Sequence, residues 1–194
     1  MAPLTLRCTV VVVAALNLAY FGVEFTVARA IGSVSLFADS IDFLEDASVN
    51  ALIAFALGWS ARRRAGLGSL LALILLVPGI ATLVTAWQKL QLPVAPDAAL
   101  LGATGVGALL VNLACALLLA RVRAHAGSLS KAAFLSARND VVANVAIVVA
   151  GGATIATRNA WPDLIIGLGI AALNAGAARD VWRAAREERR SVEP

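Results

Sequence analysis

Six apolar runs, each long enough to cross a bilayer as a helix, leave this chain almost no length for anything else. They lie at roughly 8–30, 33–59, 68–90, 96–120, 131–156 and 161–183. A hydrocarbon core of about 30 Å needs about 20 predominantly apolar residues in helical form. A helix also satisfies its own backbone hydrogen bonds where no water can. The sequence therefore predicts an all-α polytopic membrane protein, with a six-helix transmembrane domain over 1–183 and a short charged cytoplasmic tail over 184–194. Composition agrees: mean hydropathy is +0.85 and only 14% of residues are charged, against about a quarter in globular proteins. The first run is too long for a signal-peptide core, contains Asn17 and Glu24, and leads into further spans, so it reads as the first helix.

Basic residues orient the helices. With the N-terminus in the cytoplasm, the inner side collects Arg7, Arg62, Arg63, Arg64, Arg121, Arg123, Lys131, Arg179, Arg183, Arg186, Arg189 and Arg190, and the outer side only Arg29, Lys89 and Arg158. Twelve against three places both termini in the cytoplasm; a plasma (inner) membrane is the expected location. Topology thus accounts for the basic pI near 9.8, and no nucleic-acid partner is needed to explain it. Trp59, Trp87, Trp161 and Trp182 fall near predicted helix ends, where amphipathic rings settle. Cys8 and Cys115 lack metal-site spacing and read as small buried apolar residues. Pro78 is expected to kink the third helix and Gly151-Gly152 to loosen the fifth. Gly167, Ala171 and Ala175 form a small-residue stripe for close helix packing, in the same chain or a second subunit.

Against this background the acids stand out. On a helical wheel Asp39, Asp42 and Asp46 share an arc of about 60°, with Glu45 to one side. The first helix adds Glu24, two turns after Asn17, and the fifth adds Asp140, one turn after Ser136. An ionised side chain at mid-bilayer costs about 2.5–3.5 kcal/mol on the most lenient scale, so several together call for a compensating partner, and a bound cation is the obvious one. Helices two and five run in opposite directions. The i, i+4 pairs Asp42/Asp46 and Ser136/Asp140 can therefore meet near the midplane as a four-cornered cage, suited to a divalent metal ion or a shared set of protons. A register-fixing role, with the acids bonded to Asn17, Asn50, Asn112 and Asn144, is the plain structural alternative.

The two halves also resemble each other. Aligning "DFLEDASVNALIAFA" from Asp42 with "SARNDVVANVAIVVA" from Ser136 matches Asp46 with Asp140, Asn50 with Asn144, Ile53 with Ile147 and Ala56 with Ala150. Asn17 and Asn112 precede them at nearly equal distances. Helices one and two thus read as a distant, inverted copy of four and five, a common plan in secondary transporters.

Three stretches, "NLAYFGVEF" from Asn17, "GSVSLFADSIDFLEDA" from Gly32 and "LSARNDVVANVAIVVAG" from Leu135, resemble the cation diffusion facilitators. Ser33, Leu36, Ala38, Asp39, Asp42 and Asp46 fit that family's second-helix pattern. The resemblance implies efflux of divalent cations such as zinc, iron, manganese or cadmium, commonly by a homodimer exchanging metal for protons. The metal is substrate, and neither a cofactor nor an enzyme activity is implied. Where the family has His or Asp, this chain has Ser136, so the implied ligands are Asp42, Asp46 and Asp140 plus a hydroxyl. An all-oxygen set leans toward harder ions such as Mn²⁺, Fe²⁺ or Mg²⁺. The family's cytoplasmic C-terminal domain is not expected, and His125 reads as a solvated loop residue.

Asp39, Glu24 and Glu45 are assigned to the cation path or to proton coupling. Arg138, about 200° around the helix from Ser136 and Asp140, is expected to form an intramembrane ion pair with Glu24 or Glu45. If instead it neutralises the acids, the chain is a non-transporting membrane protein or a partner subunit with a degenerate site. An organic-cation carrier would need an aromatic lining, with Tyr20, Phe21, Phe25, Phe37 and Phe43 as its material.

Overall fold

The computed structural model describes residues 3–56, 80–122 and 127–173, with side chains over 6–55, 80–122 and 137–173. Six helices occupy them: α1 (Pro3–Ile31), α2 (Val34–Ala56), α3 (80–91), α4 (Ala98–Val122), α5 (Gly127–Thr157) and α6 (Trp161–Leu173). Leu6–Ile31, Ala98–Val122 and Ala137–Thr157 are each long and apolar enough to cross a membrane on their own. The four acids of α2 distinguish it from these.

Local chemistry sets the helix ends. Gly32 adopts a left-handed φ of 63°, and the Ser33 N–H returns to the Ala28 carbonyl at 3.0 Å, a hydrogen bond that closes the last turn of α1. Ser33 then caps α2 through the Leu36 N–H at 3.1 Å. Asp97 caps α4, taking the N–H groups of Ala99 and Leu100. At the end of α5, Arg158 has φ 52° and bonds to Thr154, so the turn into α6 is made by a left-handed residue that is not glycine.

α1 packs along α2 and α4 along α5, and contacts of α1 with α4 and of α2 with α5 join the two pairs. The bundle is layered. One apolar cluster joins Val10, Val13, Ile53, Ala54, Cys115, Leu119 and Ala137; another joins Ala28, Leu36, Phe37, Ile41, Leu101, Ile147 and Ile170. Between them along each helix lie polar residues: Asn17 and Glu24 on α1, Asp42, Asp46 and Asn50 on α2, Asn112 on α4, Asp140 and Asn144 on α5. Large apolar side chains such as Leu18, Leu110, Val145 and Ile155 face outward. A polar middle inside an apolar exterior reverses the soluble plan and suits a hydrocarbon solvent.

Several expectations change. α5 is continuous through Gly151-Gly152. Gly151 serves close packing instead, since a Cβ there would lie 3.1 Å from the Gly102 Cα. Cys8 is exposed while Cys115 is buried, so only the second is a core residue. Gly167 packs within the chain, its Cβ position lying 2.7 Å from the Ser35 nitrogen. Pro78, Trp59, Trp182, Ala175, His125 and residues 184–194 lie outside the described residues, as does the part of the expected third span before 80.

Candidate cation site

Small residues leave room beside the acids. Ala143 and Ala146 on α5 and Gly169 on α6 border a cavity of about 820 Å³, whose polar lining is Asp42, Glu45, Asp46, Asn139 and Asp140. Its remaining walls are aliphatic, from Val142, Ile165, Ile166, Ile170 and Leu173. Asp46 and Asp140, on helices that run in opposite directions, meet side chain to side chain. Asp46 is 7% exposed, and Asp42 and Asp140 are half-buried. The two helix faces singled out by their acids therefore look into one space. Among the described residues, no three His, Cys, Asp or Glu side chains converge on a single point as ligands. The acids share one cavity wall.

The asparagines repeat a single arrangement. Asn50 Nδ2 donates to the Asp46 carbonyl at 2.8 Å, and Asn144 Nδ2 to the Asp140 carbonyl at 2.7 Å. In both, Oδ1 is buried without a donor. Asn17 and Asn112 are buried at matching places on α1 and α4, and Asn17 Oδ1 accepts from the Cys115 thiol at 3.6 Å. Ile53 and Ile147 are both core residues. The internal likeness of the sequence thus reappears as like structure.

Other expected residues lie elsewhere. Ser136 is in α5, one turn before Asp140, with its side chain outside the described residues. Glu24 and Asp39 are fully buried between α1 and α2 and do not border the cavity. The expected pairing of Arg138 with Glu24 or Glu45 does not form: Arg138 is exposed, and the Glu24 carboxylate has no hydrogen-bond partner. Arg138 stands in the first turn of the apolar segment Ala137–Thr157, where a long cationic side chain can reach toward the interface instead. The aromatic residues stack on one another between α1 and α2, Tyr20 on Phe43 at 5.0 Å and Phe25 on Phe37 at 5.5 Å. None lines the cavity, which removes the support for an organic-cation carrier.

Sequence reasoning misses two features. Asn139 borders the cavity, although an amide beside an acid draws little notice in a search for charges. Asp163 at the start of α6 is fully buried. Its carboxylate accepts hydrogen bonds from the N–H groups of Val34 and Ser35 and the hydroxyls of Ser33 and Ser35, and Lys89 Nζ lies 3.3 Å away. A Ser-x-Ser at a helix start and a lysine in an apolar helix were the available signals.

Acids from two opposed helices thus share the wall of an otherwise aliphatic cavity between α2, α5 and α6. The family model of the cation efflux transmembrane domain matches residues 10–188. The chain belongs to the cation efflux family. Cation efflux proteins are transporters and not enzymes, so this chain is an integral membrane protein that carries metal cations. Comparison with curated proteins gave no match.

Proposed function

We propose that this cation efflux protein exports divalent transition-metal ions, such as zinc, iron or manganese, from the cytoplasm in exchange for protons. In this reading six helices span the plasma membrane with both termini inside, and two copies form a homodimer. The ion is held by Asp42, Asp46 and Asp140, with Ser136 or water at the fourth corner. The supporting observation is the contact of Asp46 with Asp140 across the wall of a cavity that Asp42 also lines. Carboxylates this close repel one another when ionised, which favours both cations and protons and makes the two compete for one site. Glu45 borders the same cavity and serves the path by which the ion enters or leaves.

The reading is tested by metal-dependent proton flux in proteoliposomes, with Zn²⁺, Mn²⁺, Fe²⁺, Co²⁺ and Cd²⁺ supplied in turn. Flux in the parent that is lost in Asp46→Ala and Asp140→Ala supports it. Absence of flux with every metal, from folded protein, would move the assignment to a partner subunit with a degenerate site.

A further inference from the structure

Glu24 on α1 and Asp39 on α2 have a chemistry separate from the cavity. Both are 0% exposed, and none of their four carboxylate oxygens has a hydrogen-bond donor. The two side chains nevertheless face each other at hydrogen-bonding range. Two ionised carboxylates are acceptors only; all that is missing from a bond between them is a hydrogen. No cation answers the charge either, since the one ion pair among the described residues is Lys89 with Asp163.

The surroundings offer no substitute. Tyr20, one turn before Glu24, spends its hydroxyl on the Thr104 carbonyl at 2.6 Å. The charged groups acting on the pair are Asp42 and Asp46 on α2 and Asp140 on α5, all acids. α4 carries only Cys115 and Arg121 as ionisable residues; Cys115 is bonded to Asn17 and Arg121 is exposed at the helix end. One proton between the carboxyls would remove a charge and form a short O–H···O⁻ bond in place of a repulsion.

We infer that Glu24 and Asp39 are a proton-binding pair, distinct from the ion cavity, which holds one proton between the two carboxyls. Its coupling to transport rests on the proposed metal site; its protonation does not. Asp39 lies one turn from Asp42 on the same helix face. A divalent ion entering the cavity takes over the neutralisation of the acidic face, and the shared proton leaves to water. When the ion departs, a proton returns. The exchange balances with no other reactant.

Two readouts test this on the full chain in liposomes. Infrared difference spectra at neutral pH without metal should show the C=O stretch of a buried protonated carboxyl in the parent that disappears in Glu24→Gln and in Asp39→Asn. Calorimetric Zn²⁺ and Mn²⁺ titrations in buffers of different ionisation enthalpy should release about one proton fewer per ion in Glu24→Gln than in the parent, with affinity held within about threefold. The double variant Glu24→Gln/Asp39→Asn, whose amides can bond each other, serves if a single variant does not fold. An unchanged carbonyl band would overturn the inference, as would unchanged proton release from a parent that binds metal. Loss of metal binding in Glu24→Gln would make Glu24 a ligand instead and overturn it too. If the parent binds no metal but the band is present and vanishes in the variants, the metal reading fails and the proton pair stands.

Discussion

Lys89 and Asp163 form an ion pair of 3.3 Å with side chains 8% and 0% exposed, fastening α3 and α6 to the start of α2. The two partners are not equally placed. Asp163 also accepts from two backbone N–H groups and two serine hydroxyls, while Lys89 has one other bond, to the Gly32 carbonyl. Removing the acid strands a buried lysine and the amides that open α2; removing the lysine leaves the acid with four donors. Asp163→Ala should therefore cost about 3–5 kcal/mol, and Lys89→Met less, about 1.5–3 kcal/mol. Thermal unfolding in detergent reads the difference, and equal losses would mean that the pair alone, and not the cap, carries the stability.

Gly167 and Gly169 on α6 should respond oppositely to the same substitution. A Cβ on Gly167 would stand 2.7 Å from the Ser35 nitrogen and the Val34 carbonyl carbon, backbone atoms that cannot turn aside, whereas one on Gly169 meets nothing within 4 Å. Gly167→Ala is expected to lose about 1–3 kcal/mol as α6 is pushed off α2. Gly169→Ala should be neutral, or gain up to about 1 kcal/mol from helix propensity. Unfolding midpoints of the two variants, measured side by side, decide the point.

Which parts of this arrangement could be read from the sequence follows the range of the interactions. Helices declare themselves by apolar length, and the turn at Gly32-Ser33 by local chemistry. The shared face of Asp39, Asp42 and Asp46 follows from helical geometry, as does the pairing of Asp46 with Asp140 once two helices are set antiparallel. Lys89 and Asp163 are remote in sequence, and a lysine after an apolar run is counted as a topology signal before it is suspected of being buried. For Arg138 the wheel turns the side chain away from Asp140, but a wheel cannot say whether the opposite face meets another helix or the exterior. From the sequence, Asp39 on the acidic face of helix two and Glu24 on helix one are both assigned to the cation path or to proton coupling; only the packing of α1 on α2 separates them from the cavity.

Arg138 offers a direct check on that distinction. An intramembrane ion pair with Glu24 would make Arg138→Gln strongly destabilising. An exposed arginine without an acidic partner among the described residues predicts a change within about 0.5 kcal/mol and metal flux equal to that of the parent. Unfolding and proteoliposome flux on one variant measure both.

The two cysteines report on the packing of α1 and α4 without any substitution. Cys8 is exposed near the start of α1, and Cys115 is buried against Asn17. Folded protein should take one maleimide per chain, at Cys8, and two after denaturation. Mass spectrometry of the intact chain gives the count. Rapid double labelling of folded protein would mean that α1 does not seal the Asn17 layer.

Asp46 and Asp140 occupy equivalent places in the two halves, each with an asparagine one turn later bonded to its carbonyl, and their side chains meet. If they grip one ion together, neither can hold it alone. Asp46→Asn and Asp140→Asn should each weaken Mn²⁺ or Zn²⁺ binding by about tenfold or more, and the double variant should lose little beyond either single one, because groups sharing one ligand are not additive. The isosteric amides preserve volume and bonding, so unfolding midpoints should stay near that of the parent. Fully additive losses in calorimetric titrations would instead place the two aspartates on separate ions and break the correspondence between the halves.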